Sequence, residues 1–205
     1  MKTFLFQGDS ITDAWRNPID DRALGCGYAN LTAAKIDFAH PGEFRFVNRG
    51  VSGDKCTNLY ARCMFEMAAC KPDYMSILIG VNDVWHALGN GTAILPERYE
   101  QVVSMLIEDS LAAFPNLKIF ILEPFVLKAC STVNAWEAFD SNVRTFAKIA
   151  RKLAEKYNLT FIPLQEKFDE LAAQTAPENW LFDGVHPSSA GHELIAQELF
   201  RATGL

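Results

Sequence analysis

Several absences narrow the field before any motif is read. Five cysteines are present, yet no two form a Cys-x-x-Cys pair, so zinc and dithiol redox patterns have no support. No basic run stands out, and 25 acidic residues outnumber 19 basic ones for a net charge of −6. Such a chain lacks the electrostatic footprint of a nucleic-acid binder. Its apolar stretches are of strand length, too short to span a bilayer. Strand-like sequence begins by Thr3, so we expect no secretory signal, and buried free thiols in a reducing, cytoplasmic setting. There is no Gly-x-Ser-x-Gly, hence no nucleophile elbow of the α/β-hydrolase kind. Linkers, internal repeats and low-complexity tracts are also missing, which favours one domain over residues 1–205.

What is present is ordinary globular material, 49% apolar and 21% charged, enough for a packed core. Short apolar runs recur at Thr3–Gln7, Phe44–Asn48, Tyr74–Ile79, Lys118–Leu122 and Thr160–Pro163. Most carry apolar residues at consecutive positions, as strands buried on both faces do. Helical patterns lie between them, at Tyr28–Phe38, Thr57–Ala69, Pro96–Phe114, Trp136–Tyr157 and Ser188–Ala202. Pro96 suits a first turn, and Ser188 or Ser189 suits a cap. Cys56, Cys63 and Cys70 fall seven apart, on one face of a helix. The alternation implies an α/β fold: a parallel sheet between two helical layers, with the five strands in the flavodoxin-like order 2-1-3-4-5.

Open sheets of this kind bind ligands at the carboxyl ends of their strands. Chemistry-bearing residues gather there. Ser10 follows strand one, Ser52-Gly53-Asp54 strand two and Gly80-Val81-Asn82-Asp83 strand three. Asp183 and His186 sit on a loop before the last helix, more than 170 residues beyond Ser10. A serine hydroxyl needs a base to become a nucleophile. Three residues before His186, the Asp183 carboxylate is placed to fix that imidazole in the tautomer that takes the serine proton. Asn82, the Gly53 N–H and the Ser10 N–H are candidate donors to a developing oxyanion. The bland alternatives are local: a capping-type start at Ser10-Ile11-Thr12-Asp13, an Asp-Gly turn and a turn-forming Asn. His86 is a lesser candidate for the pocket. His40 precedes the turn pair Pro41-Gly42, and His192 lies inside the last helical pattern.

The segments Gly8-Asp9-Ser10-Ile11, Gly50-Val51-Ser52-Gly53, Gly80-Val81-Asn82-Asp83 and Asp183-Gly184-Val185-His186 together resemble the blocks of the SGNH (GDSL-type) hydrolases, in the same order and across the whole chain. That resemblance implies the SGNH hydrolase fold, with Ser10 as nucleophile, His186 as base and Asp183 as its orienter. It also implies an oxyanion hole of Ser10, Gly53 and Asn82. Within block two it favours Gly53 over Gly50. Gly8–Arg16, Leu24–Tyr28, Leu59–Arg62, Lys71–Trp85 and Val185–Gly191 are similar to the intracellular bacterial acetylxylan esterases, which act on acetylated xylo-oligosaccharides. Residues 126–136 are less similar, and the pocket wall is expected there.

The resemblance implies a serine esterase that removes acetyl groups from a small-molecule or oligosaccharide ester, with no cofactor. Trp15, Arg16 and Trp85 are the candidate substrate contacts, with Trp180 and Tyr28 as further aromatics beside the motifs. Arg16 is equally placed to pair with Asp20 or Asp21, and Glu123 reads as a structural carboxylate. The alternatives are a lysophospholipase or thioesterase of the same superfamily, a metal-dependent phosphoesterase using Asp9, Asp13, Asp54, Asp83 and His186, and a non-catalytic binding module. We expect no nucleic-acid or membrane partner. Symmetric self-association is the common arrangement for soluble enzymes.

Overall fold

The computed structural model describes residues 1–205. Five parallel strands form one sheet: β1 (Lys2–Gly8), β2 (Phe44–Asn48), β3 (Tyr74–Leu78), β4 (Lys118–Leu122) and β5 (Thr160–Ile162), in the order β2-β1-β3-β4-β5. This is the order expected from the sequence. The central strands β1 and β3 are buried almost throughout, which is why they read as unbroken apolar runs. Phe4 of β1, Tyr74 of β3 and Phe120 of β4 stack in near-parallel planes across the sheet, tying three strands through their side chains.

Eight helices accompany the strands: α1 (Ser10–Asp13), α2 (Tyr28–Ala39), α3 (Cys56–Cys70), α4 (Val81–Asn90), α5 (Pro96–Ala113), α6 (Trp136–Lys156), α7 (Gln165–Ala172) and α8 (Ser189–Thr203). The five long helices lie within one or two residues of their expected bounds. Pro96 opens α5 at its first turn, and Ser188 caps α8 by accepting the Gly191 N–H. Cys56, Cys63 and Cys70 are buried along one face of α3, and all five cysteines are free.

Two helices escape the sequence reading. α4 follows β3 after two residues, where Gly80-Val81-Asn82-Asp83 suggests a turn around Asn82. Gly80 adopts φ +133, a conformation only glycine takes without strain, and Asp83 in the first turn favours helix initiation. α7 is capped from a distance: Glu123, just past β4, accepts the N–H groups of Leu164 and Gln165 at 2.7 and 2.9 Å. A cap from 42 residues away leaves no local signal, and it makes Glu123 a structural carboxylate. No helix is long and apolar enough to cross a membrane.

Candidate active site

β1 stops at Gly8 and the chain turns at once into α1. A Cβ on Gly8 would stand 2.2 Å from Thr12 Oγ1 and 2.4 Å from the Leu78 carbonyl oxygen, so the turn admits only glycine. Asp9, rather than Ser10, caps the helix, its Oδ1 accepting the Ile11 N–H at 3.0 Å. Ser10 is thereby the first helical residue, held at the strand end with its hydroxyl free for other work. Asp9 is wholly buried and its Oδ2 has no partner. Burial pushes its pKa up to about 7 against the pull of the Ile11 N–H and the nearby His186.

At the other end of the chain, Leu181 and Pro187 pair across a tight turn. Within it, Asp183 Oδ1 accepts the N–H groups of Val185 (2.9 Å) and His186 (2.8 Å), and Oδ2 accepts the Nδ1–H of His186 at 2.7 Å. The hydrogen-bond pattern assigns the ring proton to Nδ1. Nε2 is then the acceptor for the Ser10 hydroxyl, 2.9 Å away. Asp183, His186 and Ser10 form one continuous relay. The Asp183 hydrogen bond raises the His186 pKa above its ordinary value, in spite of burial. Burial lifts Asp183 too, but the bonds from the His186 ring and two backbone N–H groups outweigh it, leaving the carboxyl below its usual range. The imidazole stacks near-parallel to Phe182 at 5.7 Å between ring centroids, and Trp85 is tilted against it at 5.9 Å.

Residues 126–136 do not wall the pocket; they buttress this turn from behind. The Leu127 N–H donates to the Gly184 carbonyl and the Ser131 N–H to that of Asp183. Gly184, at φ +99, packs so closely that a Cβ would meet Thr132 Oγ1 at 2.6 Å. The divergent stretch therefore supports the relay and leaves substrate contact to other elements.

A cavity of about 480 Å³ brings Ser10, Gly53, Asn82, Trp85, His86 and His186 together. Gly53, at φ +85, faces open space, the nearest atom apart from its two flanking residues being His86 Nε2, 4.0 Å from where a Cβ would stand. Gly50 is shut in against Thr12 and Asp13 instead. The N–H groups of Ser10 and Gly53 take no acceptor from the chain. Asn82 commits one amide hydrogen to the Asp54 carbonyl at 3.1 Å, which leaves the second for a ligand.

A second cavity of about 640 Å³ opens on the other side of Ser10 and His186, lined by Trp15, Arg16 and Phe182 among others. Trp15 is almost fully exposed (91%) in a left-handed conformation, φ +64. A bulky side chain held there is under strain, which marks a place where structure is spent on something other than stability. Arg16 pairs with neither Asp20 nor Asp21. Its Nε donates to the Gly50 carbonyl at 2.6 Å and stands 3.7 Å from Asp13, so its guanidinium anchors the block-two loop. Asp20 is taken by Arg22, and Asp21 by Arg45 and Arg49. Tyr28 is wholly buried against Thr12, and Trp180 donates to Thr175; neither lines the two cavities.

Sequence reasoning missed the groups that hold the donors in place. Arg62 on α3 binds Asp54, Glu66, the Gln7 side chain and the Gly8 carbonyl, joining the end of β1 to the Gly53 loop. Asp83 accepts both the N–H and the thiol of Cys56, joining α4 to α3. Arg62 lies in the Leu59–Arg62 segment, but only its i,i+4 spacing to Glu66 hints at a network.

Fold and site define a class: a doubly wound parallel sheet with a serine-histidine-aspartate relay at its carboxyl edge. The family model for the GDSL-like lipase/acylhydrolase family matches residues 6–194. The chain is 31% identical over 210 positions to an acetylxylan esterase of Geobacillus stearothermophilus, covering 98% of this chain and 93% of that one. A crystal structure of an acetylxylan esterase from the same organism superposes with a TM-score of 0.87 at 29% identity, covering 100% of this chain and 94% of that one. A structure from Parabacteroides merdae described as a GDSL-like lipase gives 0.92 at 36% identity, covering 99% and 95%. This chain belongs to the GDSL-like lipase/acylhydrolase (SGNH) family and is a carboxylic ester hydrolase.

Proposed function

We propose that this hydrolase is a serine O-acetylesterase acting on acetylated carbohydrate, with acetylated xylo-oligosaccharides as the substrate class. The observation that carries the reading is the Asp183–His186–Ser10 relay, closed at 2.7 and 2.9 Å beside three convergent donors. Similarity to an acetylxylan esterase along nearly the whole chain supports the substrate class. So does the second cavity, whose lining mixes aromatic faces with polar groups.

In this mechanism Ser10 Oγ attacks the acetyl carbonyl while Nε2 of His186 takes its proton. The oxyanion is held by the N–H groups of Ser10 and Gly53 and the Asn82 amide. His186, now charged and stabilised by Asp183, returns the proton to the departing sugar oxygen. Water, activated by the same imidazole, then releases acetate from Ser10.

A panel of acyl chain lengths tests the reading: acetyl esters are expected to outrank octanoyl esters, and the reverse order makes it a lysophospholipase or thioesterase. Ser10→Ala is expected to abolish the formation of an acetyl-enzyme detectable by mass spectrometry. Ester hydrolysis undiminished in that variant sinks the assignment of the nucleophile.

A further inference from the structure

The mechanism makes no use of His192, yet the fold builds a place for it. The residue lies in the first turn of α8, buried, and lines the second cavity together with Ser10 and His186. Its Nδ1 accepts the Tyr28 N–H at 3.1 Å, one of the donors at the start of α2 that has no partner within its own helix. The approach is possible because residue 27 is glycine: a Cβ there would stand 2.8 Å from His192 Cε1. A ring nitrogen that accepts carries no proton, so in the neutral imidazole the proton is on Nε2. Nε2 donates to no group in the chain, and it is not among the buried atoms sealed from solvent. Burial, reinforced by the nearby His186, pushes the pKa of His192 down to about 4. The ring therefore stays neutral, with this one tautomer, wherever His186 can act as a base.

The direction of the donor follows from the two cavities. Gly53 and Asn82, the candidate oxyanion donors, belong to the first. The second lies beyond His186, the group that must hand a proton to the leaving oxygen, and holds Trp15 and Phe182 with Asp13 and Ser189. Aromatic faces with interspersed polar groups suit a ring that is apolar on its C–H face and hydroxylated at its edge. We propose, on the reading of a carbohydrate O-acetylesterase given above, that His192 is a specificity residue whose Nε2–H donates to a hydroxyl or ring oxygen of the sugar carrying the acetyl group. The donor discriminates a sugar alcohol from a leaving group that has no second oxygen beside the ester to accept.

The test compares kcat/KM for an acetylated xylo-oligosaccharide with that for an aryl acetate. His192→Asn keeps an acceptor near the position of Nδ1, and with it the bond from Tyr28, but leaves no donor at the position of Nε2, its amide N–H groups falling near the former Cδ2. The ratio of the two specificity constants is expected to fall about tenfold, the usual scale for one hydrogen bond of roughly 1.4 kcal/mol. His192→Gln, which carries an N–H near the Nε2 position, is expected to recover part of the ratio. A role confined to packing lowers both constants together and lowers the melting temperature, leaving the ratio unchanged; that result overturns the assignment. An unchanged ratio with unchanged stability overturns it equally. If the unmodified enzyme itself shows no preference for the sugar ester, the carbohydrate reading fails and His192 fails with it. If it discriminates and His192→Asn discriminates as well, the His192 proposal alone is lost.

Discussion

Ser10, His186 and Asp9 show how much a single side chain depends on what surrounds it. Asp183 raises the His186 pKa above 6.5, and the imidazole must be neutral to take the serine proton, so activity is expected to fall on the acid side with a midpoint above that value. Asp183→Asn removes the cause and reverses the tautomer: kcat is expected to drop by on the order of 10⁴, and the acid limb to move to lower pH. A pH profile of kcat/KM on both proteins checks this, and an unmoved acid limb counts against the relay. Asp9 has the opposite economy. Its folded pKa, about 7, lies above the ordinary value of 3.8, so its contribution to stability is whole below about pH 4 and is lost as pH rises through 7. The loss is on the order of 4 kcal/mol at full ionisation, each tenfold change in proton affinity being about 1.4 kcal/mol. Asp9→Asn keeps the acceptor for Ile11 and carries no charge. It is expected to be no more stable than the parent near pH 4 and clearly more stable at pH 8, as read from melting temperatures at the two values. The relay residues were legible in the sequence because serine, aspartate and histidine in that order at strand and loop ends have a joint chemical meaning. Asp9 as the cap, and His192 as a neutral donor, were not, because each depends on a partner that only the folded chain supplies.

Between neighbouring elements, the donors at Gly53 and Asn82 depend on two cross-links, Arg62 from α3 to the β1 end and the block-two loop, and Asp83 from α4 to Cys56. The guanidinium fork of Arg62 holds Asp54, and the Asp54 carbonyl in turn holds the Asn82 amide. Arg62→Met leaves two largely buried carboxylates, Asp54 and Glu66, without their cation. A loss of about 2–3 kcal/mol in stability is expected, as is a fall of ten- to a hundredfold in kcat, with a smaller change in KM, because oxyanion donors act chiefly in the transition state. Arg62→Lys is expected to recover more stability than turnover, since an ammonium cannot reproduce four directed bonds. Equal recovery of both counts against a positioning role. The long helices were legible from their periodicity and ends, Pro96 and Ser188 among them. α4 and α7 were hidden, one behind a tetrapeptide that reads as a turn, the other behind a cap supplied by Glu123 from another strand.

Over the whole molecule, alternation of buried strands and helices sufficed to give the sheet and its order, since right-handed parallel crossovers leave few arrangements. That order sets the ends of β1, β2 and β3 side by side, which is why residues scattered through the sequence were expected at one edge. The same convergence brings four aspartates to that edge and so raises the question of a metal. Their chemistry gives a different answer. Asp9 is buried with its capping bond to Ile11, Asp13 accepts the Ser52 hydroxyl, Asp54 is bound by Arg62, and Asp83 is bound by Cys56. No three histidine, cysteine or acidic side chains are grouped so as to hold an ion. A divalent cation drawing on Asp54 would have to displace the Arg62 guanidinium, and one drawing on Asp83 would have to break its bonds from Cys56. Nor does the proposed mechanism call for one, since the Ser10 hydroxyl already bonds to the His186 imidazole. Exhaustive chelation followed by assay in metal-free buffer is therefore expected to leave both turnover and melting temperature unchanged. Loss of activity that returns with a stoichiometric divalent cation would move the acidic cluster into the chemistry and displace the covalent serine route.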